Sequence, residues 1–157
     1  MLTSQIFEGL SNSEIHYIVG VGVIRPIDGG ELLFRKGDVG HEMYVILTGK
    51  VDIFDEYGAK TSLVAQLGPG EFFGEMALFE KEHTRSTHAI VSEPSQLLVL
   101  SEEMISKLFR KKLPKRFLVN IIRVLCHRLH LTNSMYMLAR FGDGKLPEVA
   151  RWLAQGS

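Results

Sequence analysis

The spacing of apolar residues changes twice along the chain, and each change marks a different kind of element. In LSNSEI, Ser11 precedes Glu14 by three residues, a capping box that predicts a short helix from about Ser11 towards Gly20. From there to Leu100, short β-branched and aromatic runs alternate with glycine-bearing turns. The runs are VGVIRPI, ELLF, MYVILT, KVDIFDEY, TSLVAQL, THAIVS and QLLVLS. Seven or eight short strands at this spacing predict an antiparallel sandwich or roll.

The pattern becomes helical after Ser101. Ser101 is a good N-cap residue, and Glu102 and Glu103 follow it in the first turn, where their charges complement the helix dipole. This helix should end before Pro114, which suits the first turn of a longer helix. The longer helix carries an apolar seam at alternating steps of four and three, formed by Leu118, Ile122, Leu125, Leu129, Thr132, Tyr136 and Ala139.

The long helix is apolar on a second face as well. The second stripe consists of Phe117, Ile121, Val124, Leu131, Met135 and Leu138. Because a helix with two apolar faces needs two partners, we expect one face on the β-roll and the other on a second copy of the chain. The pattern therefore predicts a homodimer formed through residues 115–139.

The last segment, FGDGKLPEVARWLAQGS, has the composition of a hinge followed by a helix. Gly142 to Gly144 form the hinge, and Pro147 opens the helix at its N1 position. We therefore divide the chain into residues 1–113 (the β-roll with its flanking helices), 114–140 (the long helix) and 141–157 (the hinge and one further helix).

Composition excludes several classes of function for this chain. Hydrophobic residues make up 45% of the 157 residues, and 18 Lys and Arg balance 18 Asp and Glu, so no global field favours nucleic acid or an anionic membrane. The single cysteine, Cys126, excludes an internal disulfide and a multi-cysteine metal site. We expect a reducing, cytoplasmic setting and no membrane partner, since neither a signal peptide nor an apolar run of about 18 residues is present.

The segment FFGEMALFEKEHTRST, residues 72–87, contains the carboxylate of Glu75, the guanidinium of Arg85 and the adjacent hydroxyls of Ser86 and Thr87. A helix beginning near Glu75 would offer free backbone N–H groups, and Gly74 would let a ligand approach the backbone. Arg85 supplies a planar cationic fork for a phosphate. Glu75 would repel a phosphate, so we assign it to sugar hydroxyls. Phosphate and sugar hydroxyls together indicate a nucleotide.

Two segments carry a resemblance to a known family. These are RKGDVGHEMYVILTGKVDIF, residues 35–54, and GPGEFFGEMALFEKEHTRST, residues 68–87. They resemble the cyclic-nucleotide-binding domain of Crp/Fnr-type transcription regulators, a family that includes the bacterial catabolite activator, and the similarity extends over residues 5–140. The resemblance implies a mainly β fold with flanking helices: an antiparallel β-roll or jelly roll (double-stranded β-helix), a short N-terminal helix and a long C-terminal dimerisation helix.

The same resemblance implies roles for individual residues. Glu75 would accept the ribose 2′-hydroxyl, Arg85 would pair with the exocyclic phosphate oxygens, and Ser86 would add a hydroxyl to the phosphate or the base edge. In HRLHLTNS, Thr132 would contact the adenine amino group, and Asn133 would reach it from the other subunit. The implied nucleotide-binding set is Gly74, Glu75, Met76, Ala77, Arg85, Ser86, Thr87, Thr132 and Asn133.

The implied function is a sensor that binds cAMP, or else cGMP, and is not an enzyme. It needs no cofactor, and ligand binding is coupled allosterically to the dimer helix. In the bacterial family the output is a winged helix-turn-helix, of which this chain carries at most the first helix, LPEVARWLAQ. We therefore expect DNA to be contacted only through a domain absent from this chain, and favour truncation over a sensor that works alone.

Other interpretations of the same residues remain open. Glu75 and Arg85 are also compatible with a simple ion pair, Thr132 with a register-setting polar residue, and Thr87 with an ordinary strand threonine. The basic run RKKLPKR, residues 110–116, is more typical of a solvated helix end than of a DNA site. Four histidines suggest a metal or haem, but the sequence offers no third ligand, so we predict no metal; they are His83, His88, His127 and His130.

Two other functions stay as alternatives. One is a roll-shaped enzyme with a metal in its barrel, which would need His and Glu clustered on the strands. The other is a degenerate family member that senses another effector or serves as a dimerisation scaffold.

Overall fold

A computed structural model describes residues 5–110 and 115–141 of the chain. By its internal contacts the chain divides into two compact units, Met1–Asn120 and Ile121–Ser157. The predicted hinge at residues 142–144 and the helix opened by Pro147 lie outside the described residues, as does Pro114. The predicted three-part division of the chain therefore stays a prediction.

The helices that start at Asn12 and Glu102 begin directly after their predicted capping residues. The ordered elements are a 3₁₀ turn at Gln5–Phe7, α1 at Asn12–Val21, α2 at Met76–Phe79, α3 at Glu102–Arg110 and α4 at Lys115–Phe141. Ser11 caps α1: the Glu14 backbone N–H donates to Ser11 Oγ at 3.3 Å, and the Ser11 N–H donates to Glu14 Oε2 at 2.7 Å. At α3 the Met104 N–H donates to Ser101 Oγ at 3.2 Å. Both predicted N-caps are thus confirmed.

The strands form one antiparallel sheet. They are β1 at Val23–Ile27, β2 at Leu32–Phe34, β3 at Glu42–Tyr57, β4 at Lys60–Leu67, β5 at Phe72–Phe73 and β6 at His88–Ser101. The main order is β1-β6-β3-β4, while β2 also pairs with β6 and β5 with β3. The predicted fold class, an antiparallel β-roll with flanking helices, is confirmed.

The predicted count of seven or eight short strands is wrong, because two supposed breaks are bulges inside long strands. The TGK segment lies within β3 and SEPS within β6, where the register between the two strands shifts. Gly49 adopts φ 94°, and a Cβ there would overlap Ser95 Oγ. The Ser95 hydroxyl accepts from the Lys50 N–H at 3.1 Å and donates to the Glu93 carbonyl at 2.7 Å. Hydrogen bonds thus continue both strands across the positions where glycine and proline suggested turns.

The core lies where β3 and β6 pair. Residues 43–46 of β3 and 97–100 of β6 are buried at every position, so both faces of the sheet are covered there. On one face, an apolar cluster inside the roll includes the aromatic rings of Phe34, Tyr44 and Phe73. The core thereby fixes the backbone that flanks the segment containing Gly74 and Arg85.

The first turns of α4 belong to the same unit as the roll. The Phe117 ring stacks on Phe7 with centroids 6.3 Å apart. Asn120 Nδ2 donates to the carbonyls of Ile6 at 3.1 Å and Glu8 at 2.9 Å. The N-terminal 3₁₀ turn is therefore fastened to the start of the long helix.

The rest of α4 exposes many apolar side chains. Ile122, Leu129, Leu131, Met135, Tyr136 and Leu138 are each about half exposed or more. Among the helices formed by residues 5–110 and 115–141, none combines the length and apolar character that a membrane span requires.

Candidate functional site

Residues 74–87 connect β5 to β6 and carry most of the predicted site. The chain leaves β5 through Gly74, which adopts φ 78°, a conformation that side chains other than glycine rarely tolerate. A Cβ at Gly74 would also lie 2.8 Å from Arg85 Nη1. Gly74 is therefore needed both for the turn and for the close approach of Arg85.

Arg85 is the centre of the site. Its side chain is buried, and Nη1 donates to the carbonyls of Glu42 and Gly74, each at 2.8 Å. The guanidinium lies over the Phe34 ring, with Cζ 4.2 Å from the ring centroid, and 5.7 Å from that of Tyr44. Arg85 Nε is buried and donates to no acceptor in residues 5–110 and 115–141. A buried cation with an unused donor is suited to an anionic ligand.

The backbone on either side holds Arg85 in place. The Arg85 N–H donates to the Asp38 carbonyl, and the Gly37 N–H donates to the Arg85 carbonyl, both at 2.8 Å. Val39 and Thr84 form an isolated antiparallel bridge. The segment before β3 thus acts as a short partner strand for the arginine, so a ligand would meet a largely fixed guanidinium.

Neighbouring groups set the charges in the site. Burial lowers the pKa of Arg85, while Tyr44, Glu42, Asp38 and Glu75 act in the opposite direction. Burial, the Glu42 charge and the hydrogen bond to Glu42 raise the pKa of Tyr44 to about 12. Near neutral pH the site therefore holds a neutral phenol beside the guanidinium.

The predicted residues of α2 and its flanks occupy one short stretch of chain. Glu75 is the residue before α2 and is buried, in agreement with a helix start near this position. Ala77 is also buried, while Met76 is 46% exposed. Ser86 Oγ donates to the Met76 sulfur at 3.5 Å, which links the two ends of the segment. The structure thus brings Gly74 into contact with Arg85, and Met76 into contact with Ser86.

For three further predicted residues the structure gives only their local position. Thr87 is partly exposed and lies one residue before β6. Thr132 and Asn133 lie on α4 in the second unit, both exposed, and Thr132 Oγ1 donates to the Arg128 carbonyl at 2.9 Å. Their roles stay predictions.

Several residues that shape the site were not singled out from the sequence. Gly40 is one of them, because a Cβ there would overlap the Nε and Cζ atoms of Arg85. Phe34 and Tyr44 provide the aromatic surface, and Glu42 provides a backbone carbonyl. Gly40 lies within the motif of residues 35–54, so its spacing was visible in the sequence. The contact with Arg85, however, requires the fold.

Comparison with known proteins agrees with this geometry. Residues 24–112 match the cyclic nucleotide-binding domain family. The chain is 36% identical over 112 residues to the cyclic AMP receptor protein of Thermus thermophilus, covering 71% of this chain and 51% of that protein. It is 28% identical over 157 residues to the CRP-like cAMP-activated global transcriptional regulator of Mycobacterium tuberculosis, covering 96% of this chain and 67% of that protein.

The crystal structure of the Thermus thermophilus catabolite activator protein matches with a TM-score of 0.79 at 32% identity, covering 88% of this chain and 64% of that one. The chain thus spans between about half and two thirds of these relatives. The prediction of a binding domain rather than an enzyme agrees with its similarity to transcription regulators. The chain belongs to the cyclic nucleotide-binding domain family, with Crp-type regulators among its relatives.

Proposed function

We propose that the chain is the sensing module of a Crp/Fnr-type transcription regulator and binds a cyclic nucleotide, cAMP in preference to cGMP. The observation that carries the proposal is the buried, fixed Arg85 guanidinium, with its unused Nε donor, beside Gly74 and Glu75. Two of the relatives are named for cAMP, which favours this nucleotide.

Each group around Arg85 has a proposed partner on the nucleotide. Arg85 binds the cyclic phosphate, because a guanidinium presents several donors in a plane that matches phosphate oxygens. Glu75 accepts hydrogen bonds from the ribose 2′-hydroxyl, since a carboxylate repels the phosphate itself. The remaining proposed contacts are the backbone N–H groups of Gly74, Met76 and Ala77, the hydroxyls of Ser86 and Thr87, and the base contacts of Thr132 and Asn133.

We further propose that the protein is a homodimer through residues 115–139. The apolar side chains that α4 exposes include Ile122, Leu129 and Tyr136, which follow the predicted seam. Burying such a stripe against a second copy would remove its apolar area from water. The proposed allosteric step is a shift between two arrangements of this helix, driven by the nucleotide's differential affinity for them.

DNA binding is proposed only for a larger protein. The chain covers 51% of the Thermus receptor protein, and the segment predicted as hinge and first helix of a winged-helix domain, 141–157, lies almost entirely outside the described residues.

Titration calorimetry with cAMP and with cGMP tests the proposal. We expect the native chain to bind cAMP more tightly than cGMP, and Arg85→Leu to bind at least about 100-fold more weakly, since each charge-assisted hydrogen bond contributes about 1.5–3 kcal/mol. Arg85→Lys, which keeps the charge but not the planar fork, should give an intermediate loss. Arg110→Leu changes an exposed arginine on α3 and should bind as the native chain does.

The outcomes separate the alternatives. Absence of heat with either nucleotide at millimolar concentration would overturn the cyclic-nucleotide proposal and favour a member that senses another effector. Native-like affinity in Arg85→Leu would show that the phosphate is bound elsewhere. A thermal melt of each variant distinguishes lost binding from lost folding.

A further inference from the structure

Three side chains with metal-binding groups meet at the margin of the first unit. His41 directly precedes β3, Glu102 is the first residue of α3, and His83 lies in the loop after α2. One donor atom from each lies within 4.8 Å of the others. Two imidazoles and a carboxylate are a donor set that zinc accepts in proteins.

The distances suit a small metal ion. His41 Nδ1 and Glu102 Oε2 are 3.4 Å apart, and the rings of His41 and His83 have centroids 4.6 Å apart. Ligands of a tetrahedral zinc with bonds of about 2.1 Å are separated by about 3.4 Å. One pair is therefore already at the required spacing. The side chains of His41 and Glu102 are 55% and 53% exposed, so small rotations can close the remaining gap.

A hydrogen bond prepares His83 for coordination. His83 Nδ1 lies 2.8 Å from the Ala77 carbonyl oxygen. A carbonyl can only accept, so Nδ1 carries a proton, and Nε2 is the ring nitrogen whose lone pair is left to bind a metal. Metal-binding histidines commonly have their second nitrogen fixed by a carbonyl in this way.

Backbone hydrogen bonds join the three segments of chain that carry the cluster. The Gly40 N–H donates to the His83 carbonyl at 2.7 Å, and the Glu102 N–H donates to the His41 carbonyl at 2.9 Å. His83 adopts φ 49°, an uncommon conformation for a residue other than glycine, and such conformations persist where the surrounding structure imposes them. These contacts hold three distant segments of chain together without requiring a ligand.

We propose that His41, His83 and Glu102 bind a zinc ion, with water as the fourth ligand. The site lies at the ends of elements rather than on strands inside the roll, so it differs from the barrel metalloenzyme considered above. Sequence pattern alone does not connect His83 with these partners, because His41 and Glu102 lie 61 residues apart in the chain.

Calorimetric titration of the tag-free protein with Zn²⁺, and with Mg²⁺ for comparison, tests this proposal. We expect one Zn²⁺ per chain, a rise in melting temperature with zinc, and no saturable binding of Mg²⁺, which prefers oxygen ligands. His41→Ala, Glu102→Gln and His83→Asn should each weaken zinc binding by at least about tenfold. Asparagine is chosen at position 83 because it tolerates a positive φ.

Two controls distinguish this site from other metal-binding groups. Arg85→Leu removes the proposed phosphate ligand and should still bind zinc, so the two proposals fail separately. The triple variant Cys126→Ser/His127→Ala/His130→Ala removes the candidate ligands on α4 and should bind zinc as the native chain does. The proposal is overturned if the native chain does not bind zinc stoichiometrically. It is also overturned if His41→Ala and Glu102→Gln bind zinc as the native chain does, or if the triple variant loses zinc binding. His41 and Glu102 would then be an ordinary surface ion pair.

Discussion

Arg85 carries its positive charge in a buried position, where the loss of water destabilises the charged form. Burial disfavours the charged guanidinium, and two carbonyls, the Phe34 ring and nearby acidic groups offset part of the loss of water. The protein thus maintains a cation that is already desolvated and oriented. A phosphate bound there would interact in a low-dielectric setting, where electrostatic attraction is stronger than in water.

Substitution of Gly40 tests whether cAMP binding depends on the position of the Arg85 guanidinium. In Gly40→Ala the new Cβ would overlap the Arg85 guanidinium, so the arginine has to move. We expect cAMP affinity in titration calorimetry to fall by about tenfold or more, which corresponds to about 1.4 kcal/mol or more.

Gly68→Ala is the matched control, since a Cβ at Gly68 meets no atom within 4 Å. It should bind as the native chain does. Equal affinities for Gly40→Ala and the native chain would show that the position of Arg85 is not set by this contact.

The long strands β3 and β6 depend on their bulges. Each would be two shorter strands if the segments around Gly49 and Ser95 were true turns. Instead, the Ser95 hydroxyl satisfies the Lys50 N–H and the Glu93 carbonyl where the regular ladder is interrupted. The bulges thereby let one pair of strands span the whole roll.

Ser95→Ala tests this element. The hydroxyl is buried, and its removal leaves an N–H and a carbonyl without their partner, so we expect the free energy of unfolding to fall by about 1–3 kcal/mol. Urea denaturation measures the change. Ser62→Ala, at an exposed position on β4, should change stability by less than about 0.5 kcal/mol. A loss no larger in Ser95→Ala than in Ser62→Ala would contradict the role given to the bulge.

The exposed apolar side chains of α4 are the feature that the proposed dimer would cover. Leu, Ile, Met and Tyr side chains that are half exposed or more, on both apolar stripes of one helix, are unusual for a monomer. In a dimer formed through α4, both sensing domains would be joined to the same pair of helices. A nucleotide that favours one arrangement of these helices would then affect both subunits.

Leu129→Glu tests dimerisation. Leu129 lies on the predicted seam and is 61% exposed, so a carboxylate there would be buried in the proposed dimer and should dissociate it. Sedimentation or light scattering should give a dimer for the native chain and a monomer for the variant. Leu63→Glu alters a similarly exposed leucine on β4 and should remain dimeric. A native chain that is monomeric at high micromolar concentration would refute the proposal.

Local sequence determined a large part of this protein. The N-caps Ser11 and Ser101, the helix after Glu75 and most of the boundaries between strands and turns depend on neighbouring residues, and these follow from the pattern. Gly74, Glu75 and Arg85 lie within one segment, so their spacing predicted a phosphosugar site, which stays a prediction, and helped to suggest the family that the comparisons confirm.

The tertiary structure decided what depends on residues far apart in the chain. A glycine or proline favours a turn locally, and only the neighbouring strand shows that Gly49 and Ser95 form bulges instead. Only the fold brings Phe34 under the Arg85 guanidinium and His41 beside Glu102, because those contacts depend on strand register and packing. The sequence thus specifies the chemical groups and the local elements, while long-range pairing sets their environment.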